Sequence, residues 1–123
     1  MAYLNDRVFD EGLSILDLEA NAVYVTSTEA TDYTEATSTY ALGNSTSLSI
    51  AAPSDRAGGG RKVTVSAIAD GSITGTGTVT HYALVDTANS RLLATAALTA
   101  SQSVTNGNTF TLATFDIGIP DPS

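Results

Sequence analysis

From Arg61 to Ile119 the chain is written in short runs in which apolar and hydroxyl side chains alternate, broken by turns rich in Asx and Gly. A period of two puts every second side chain on one face of an extended strand, and it cannot give a helix one continuous apolar stripe. Val63, Val65, Ala67 and Ala69 alternate with Thr64, Ser66 and Ile68, and the run stops at Asp70-Gly71, a dipeptide suited to the positive-φ positions of a tight hairpin. A partner strand over 72–86 follows, with Gly75 and Gly77 as sites for a bend or bulge. Thr87-Ala88-Asn89-Ser90 reads as a second turn and Arg91 to Leu98 as a third strand, which predicts a three-stranded meander. The Asn106-Gly107-Asn108 turn then introduces a closing strand or pair over 110–119, ended by Pro120.

The first half is less regular. Asn5 is a capping candidate for a short helix through Leu16, with Val8, Phe9, Gly12, Leu13 and Leu16 at helical spacing. Gly12 weakens that helix by about 1 kcal/mol relative to Ala. Ala22 to Ser27 has the β-branched and aromatic content of a strand, and the polar, acidic Thr28 to Thr39 reads as a loop or edge segment. The expected class is mainly β, an antiparallel β-sandwich or jelly-roll-like barrel with a short N-terminal helix or arm. The expected organisation is an arm over 1–20 and a single sandwich domain over 21–123, with a Gly-rich loop at 57–60. A length of 123 residues fits one such domain.

Composition removes several functions. Thirteen acids against five bases give a net charge of −8, opposed to phosphate binding through Lys and Arg, so no nucleic-acid partner is expected. Nine of those acids fall in residues 1–55 beside a single base, whereas residues 56–123 balance at four of each. No apolar run approaches the roughly 20 residues that span a bilayer, and residues 1–20 carry acids where a signal peptide needs an apolar stretch. A soluble protein made in the cytoplasm, without a membrane partner, is the expectation. Cysteine is absent, which excludes disulfides, thiolate catalysis and Cys-bearing zinc sites.

Candidate chemistry is sparse, and no cofactor, metal or catalytic residue is expected. His81 is the single histidine, and Asp86, five positions on, falls on the opposite face of a regular strand, so a structural role is the simpler reading. Asx residues at 86–89 and 106–108 could offer oxygen ligands to calcium, but turn formation accounts for them. Gly58-Gly59-Gly60-Arg61-Lys62 lacks the spacing of a phosphate loop and precedes a strand rather than a helix. It reads as a hairpin tip whose Arg61 and Lys62 are candidate partner contacts. Tyr33 and Tyr40 sit in polar context and could serve as interface anchors or sugar platforms.

The segments Thr80-His81-Tyr82-Ala83-Leu84-Val85-Asp86, Leu92-Leu93-Ala94-Thr95 and Val104 to Leu112 follow a pattern seen in small virion proteins of tailed bacteriophages, in which a T-H-x-A-L-x-D strand, an L-L-A-T strand and a V-x-x-G-x-T-F turn succeed one another. Leu4 to Leu13 and Thr34 to Gly43 are similar to further segments of such proteins. The resemblance implies a non-enzymatic β-sandwich located in the virion, most readily a capsid decoration or cement protein. Its partners would be the major capsid protein or other virion proteins, contacted as a homo-oligomer or as lattice-bound copies. It transfers no catalytic residue. A tail or head–tail joining component and a carbohydrate- or receptor-binding module are the alternatives. On this reading an N-terminal arm that orders on docking would bury Val8, Phe9, Leu13 and Leu16 against a neighbour.

Overall fold

The computed structural model describes residues 5–120, with residues 6–9 described by backbone alone. In chain order the elements are helix α1 (Asp6–Glu19), β1 (Ala22–Thr26), a π-helical turn (Glu35–Thr39), β2 (Ala41–Ser45), β3 (Ser54–Asp55), β4 (Arg61–Val65), β5 (Ile68–Ile73), β6 (Gly77–Asp86), β7 (Arg91–Val104), β8 (Thr109–Leu112) and β9 (Phe115–Ile119). The class is mainly β, as the alternation predicts, and every pairing is antiparallel. Two compact units share the chain: one takes residues 1–19, 49–67 and 113–123, the other residues 20–48 and 68–112. Glycines 58–60 lie inside the first unit, at the tip of the β3–β4 hairpin.

The larger unit is a six-stranded sheet of order β7-β6-β1-β2-β5-β8. β1 is central, and Ala22, Val23, Val25 and Thr26 are each no more than 2% exposed, so it is covered on both faces. On one face Ala22 stands opposite Val85 and Tyr24 opposite Ala83. Ala30 and Ala36, from the 27–40 segment, complete a small-residue cluster there, with Tyr24, Tyr33, Tyr40 and Leu92 packed around it. Alanines at 22, 30, 36 and 83 let backbone approach backbone, and the tyrosine rings fill the periphery.

The sheet curls into a half-barrel, and its connections show why. Flat, its five inter-strand gaps of about 4.8 Å would hold β7 and β8 roughly 24 Å apart. Residues 105–108, which join those two strands, reach at most about 17 Å. The link is also tied to the sheet. Gly107 N–H donates to Ile73 O at 3.0 Å, Ile73 N–H to Asn108 O at 2.9 Å, and Asn106 N–H to Thr76 Oγ1 at 3.0 Å. Gly107 has φ +93°, which is why this Asn-Gly-Asn signal marks a real turn.

The Asp70-Gly71 signal does not mark one. β5 runs through it, pairing with β2 and β8, while β6 pairs with β1 and β7, so the first hairpin of the expected meander is absent and only the β6–β7 hairpin forms. Gly71 answers a steric demand instead. A Cβ built there would lie 2.2 Å from the Phe110 ring, which rests against the strand backbone.

The smaller unit sets helix α1 against a three-stranded sheet of order β3-β4-β9. α1 starts directly after Asn5, as expected, and extends to Glu19. Val63 and Val65 of β4 are fully buried, and Leu13 and Leu16 of the helix are 3% and 8% exposed. A 14-residue helix with an interior glycine is marginal alone, so its stability rests on this packing. Among the described residues no helix is long and apolar enough to cross a membrane.

Gly71→Ala should destabilise the larger unit by about 1–3 kcal/mol through overpacking against Phe110. Phe110→Leu in that background should restore part of the loss. Urea unfolding of the two single variants and the double variant checks this, and additivity within about 0.5 kcal/mol would contradict the contact.

Candidate functional site

Six of the eight candidate site residues have described side chains. Val8 and Phe9 lie outside the described side chains. Leu13 and Leu16 are buried within the chain itself and offer nothing to a neighbour; the exposed apolar side chains of α1 are Ile15 and Leu18, at 40% and 78%. Tyr33 and Tyr40 are half-buried against the alanine cluster, supporting the 27–40 segment rather than standing free as platforms. That segment is closed locally. Asp32 Oδ1 accepts the Glu35 N–H at 2.8 Å, and Glu35 Oε1 accepts the N–H and hydroxyl of Thr31 at 2.8 and 2.7 Å. These bonds, the Thr31 hydroxyl first, hold the Glu35 carboxyl below its ordinary range. An acid at Asp32 followed three residues later by Glu35 is the capping-box spacing, a signal in the sequence for this turn.

Arg61 and Lys62 diverge because neighbouring residues of a strand face opposite ways. Arg61 is on the side of Val63 and Val65, where its guanidinium grips Asp10 of α1 with two bonds of 2.9 and 3.3 Å. It also binds Asp55 at 2.7 Å and Pro53 O at 3.3 Å. Its side chain is 17% exposed, so Arg61 joins helix to sheet within the unit rather than reaching a partner.

Lys62 lies on the other face. Its ammonium meets Asp116 of β9 at 3.0 Å, and Thr64 donates to the same carboxylate at 2.7 Å. The Thr64 hydroxyl first, and then Lys62, hold the Asp116 carboxyl below its usual value. Arg56, at the hairpin tip, crosses over Gly118: a Cβ there would lie 2.9 Å from Arg56 Cδ. Its guanidinium donates to Gly59 O at 3.0 Å, and the loop closes through Arg56 N–H to Gly60 O and Gly59 N–H to Arg56 O, both 3.1 Å. Glycines 58, 59 and 60 all have positive φ, a path that side chains disfavour. Arg56, Ala57, Lys62, Asp116 and Gly118 thereby line a polar cleft of about 360 Å³. Two cations there face one carboxylate, and Asp116 is already held by two donors, the Lys62 ammonium and the Thr64 hydroxyl. Arg56 and Asp116 were not apparent from the sequence, since their meeting depends on β4–β9 pairing across more than 50 residues.

His81 acquires neighbours that sequence separation conceals. Its Nδ1 is 2.8 Å from Thr80 Oγ1 and its Nε2 is 3.9 Å from Glu29 Oε2. Threonine, histidine and glutamate in contact invite comparison with a nucleophile triad. Thr80 has one proton, however, and donates it to Ser27 O at 2.9 Å, so it accepts from Nδ1–H and the histidine does not draw on its hydroxyl. The group anchors the segment after β1 to β6. Asp86 is likewise occupied. Its carboxylate accepts from Ala88 N–H at 3.0 Å, Asn89 N–H at 3.4 Å and the Asn89 amide at 2.8 Å, shaping the β6–β7 turn in which Ser90 takes φ +53°.

No known protein family, curated protein or solved structure matches this chain.

Asn89's amide above all, with the backbone N–H groups of Ala88 and Asn89, holds the Asp86 carboxyl below its ordinary value against the opposing effect of burial. A lowered folded value contributes stability that is full above the ordinary aspartate value of about 3.9 and fades as pH falls through the folded one. Asp86→Asn should therefore lower stability most at neutral pH, and the gap to the native chain should narrow below about pH 4. Urea midpoints measured from pH 7 to pH 2.5 check this, and a constant gap would refute it.

Proposed function

We propose that this chain is a non-catalytic virion protein of a tailed bacteriophage, a capsid decoration protein that docks on the capsid lattice through the outer face of helix α1. The observation that carries the reading is the exposure of Ile15 and Leu18 on α1, the latter 78% open, while Leu13 and Leu16 anchor the same helix to its own sheet. Two apolar side chains three residues apart on a packed helix form a short ridge suited to a shallow groove in a protein surface. The cleft of Arg56 and Lys62 supplies a complementary contact for an acidic side chain. The resemblance of 80–95 and 104–112 to phage virion proteins points the same way. The mechanism is multivalent: contacts that are weak singly become strong when many copies face one repeated lattice.

Quantitative mass spectrometry of purified virions should find hundreds of copies in fixed ratio to the major capsid protein. A few tens would indicate a tail or neck component instead, and complete absence would overturn the virion reading. Ile15→Asp with Leu18→Asp should raise the concentration needed for half-occupancy of the particle by about tenfold or more, the effect of losing about 1.4 kcal/mol or more of binding, while leaving the circular dichroism spectrum unchanged. An unchanged half-occupancy concentration would remove α1 from the interface.

A further inference from the structure

β7 ends the six-stranded sheet and is hydrogen-bonded to β6 alone among the described strands. Its other edge presents a row of backbone N–H and C=O groups. Sheets ordinarily guard such edges with lysine, proline or inward-facing charge. None of these occurs from Leu92 to Val104, and the uncharged stretch continues to Phe115, in a chain of net charge −8. The guard that is present is bulging. The β6–β7 register shifts between Leu84 and Val85 and again between Val79 and His81, which places extra residues in β7 around Leu93 and over 98–101. Between these irregularities Ala94–Ala97 pairs without interruption with His81–Leu84. Thr95 Oγ1 pins the run by donating to Tyr82 O at 2.9 Å. The edge is closed off only toward Val104, where the 105–108 link is bound to residues 73 and 76.

We infer that the Ala94–Ala97 edge of β7 pairs antiparallel with the same edge of a second copy of this chain, joining two six-stranded sheets into one. An uncharged edge in an otherwise acidic chain meets the condition for pairing with a second copy. Around a two-fold axis each strand meets itself reversed, so any charge near the axis would face its like; this run carries none, although the rest of the molecule is strongly acidic. The half-buried Leu93 and Leu98 flank the run. Pairing of β7 with β8 of another copy would be head-to-tail and would build a ring or an open ladder rather than a two-fold dimer. A closed dimer also doubles the contacts available to a lattice, but the inference does not rest on lattice binding.

Sedimentation equilibrium of the full chain tests it. The expected result is a concentration-dependent dimer of twice the 12.6 kDa chain mass. Ala97→Lys, at an exposed position within the run, should weaken the dimer by about tenfold or more while the thermal unfolding curve, taken at a concentration low enough for both chains to be monomeric, is unchanged. Hydrogen exchange of the unsubstituted protein provides a readout independent of any variant: amides within 94–97 should slow as concentration rises. A chain that stays monomeric at high concentration, an open-ended ladder of oligomers, or a dimer with unchanged exchange at 94–97 would each overturn the inference.

Discussion

The larger unit depends on β1 being held between β2 and β6 with both faces buried. A five-residue strand of Ala, Val, Tyr, Val and Thr has too little surface to be stable at an edge. Between two neighbours it satisfies its backbone on both sides and removes its side chains from water on both faces. Burial on the second face requires a cover, and the 27–40 segment provides it with Ala30, Ala36, Tyr33 and Tyr40. The π-helical turn, the Thr31–Asp32–Glu35 bonds and the contact of His81 with Thr80 and Glu29 all serve to hold that cover in place. Side chains that look chemically promising in isolation are thus employed in closing a loop.

A comparable economy governs the smaller unit, whose three-stranded sheet and marginal helix are joined by Arg61. Its guanidinium bridges Asp10 of the helix and Asp55 of the neighbouring strand. Because strand neighbours face opposite ways, the residue beside it, Lys62, helps form a polar cleft on the other face. One strand therefore supports the fold with one cation and presents the other. The carboxylates of Glu35, Asp86 and Asp116 are all held below their ordinary range by donors of their own surroundings, so acidification withdraws support from both units at once.

Sequence periodicity identified strands reliably but not their partners. β4, β6, β7 and the closing pair were legible from alternation and turn residues, and the helix from Asn5 and its apolar spacing. The Asn-Gly-Asn turn was read correctly because its glycine needs positive φ. The Asp-Gly pair was misread because a glycine required for closeness to Phe110 looks the same in sequence as one required for a turn. In α1 the apolar spacing pointed to Leu13 and Leu16 as contacts for a neighbour; packing took both into the interior and left Ile15 and Leu18 outside.

Some properties were determined by the amino-acid sequence alone: the mainly β class, a strong negative charge, and chemistry without thiols. These are sums or short-range patterns that hold whichever strands meet. Tertiary structure alone decided the division into two interleaved units, the curl imposed by a short link between the outer strands of one sheet, the opposite employment of Arg61 and Lys62, and the bare edge of β7. Each of these depends on which distant strands pair, and pairing is selected by burial of both faces of β1 and by the reach of the connecting loops, quantities that no local stretch of sequence contains.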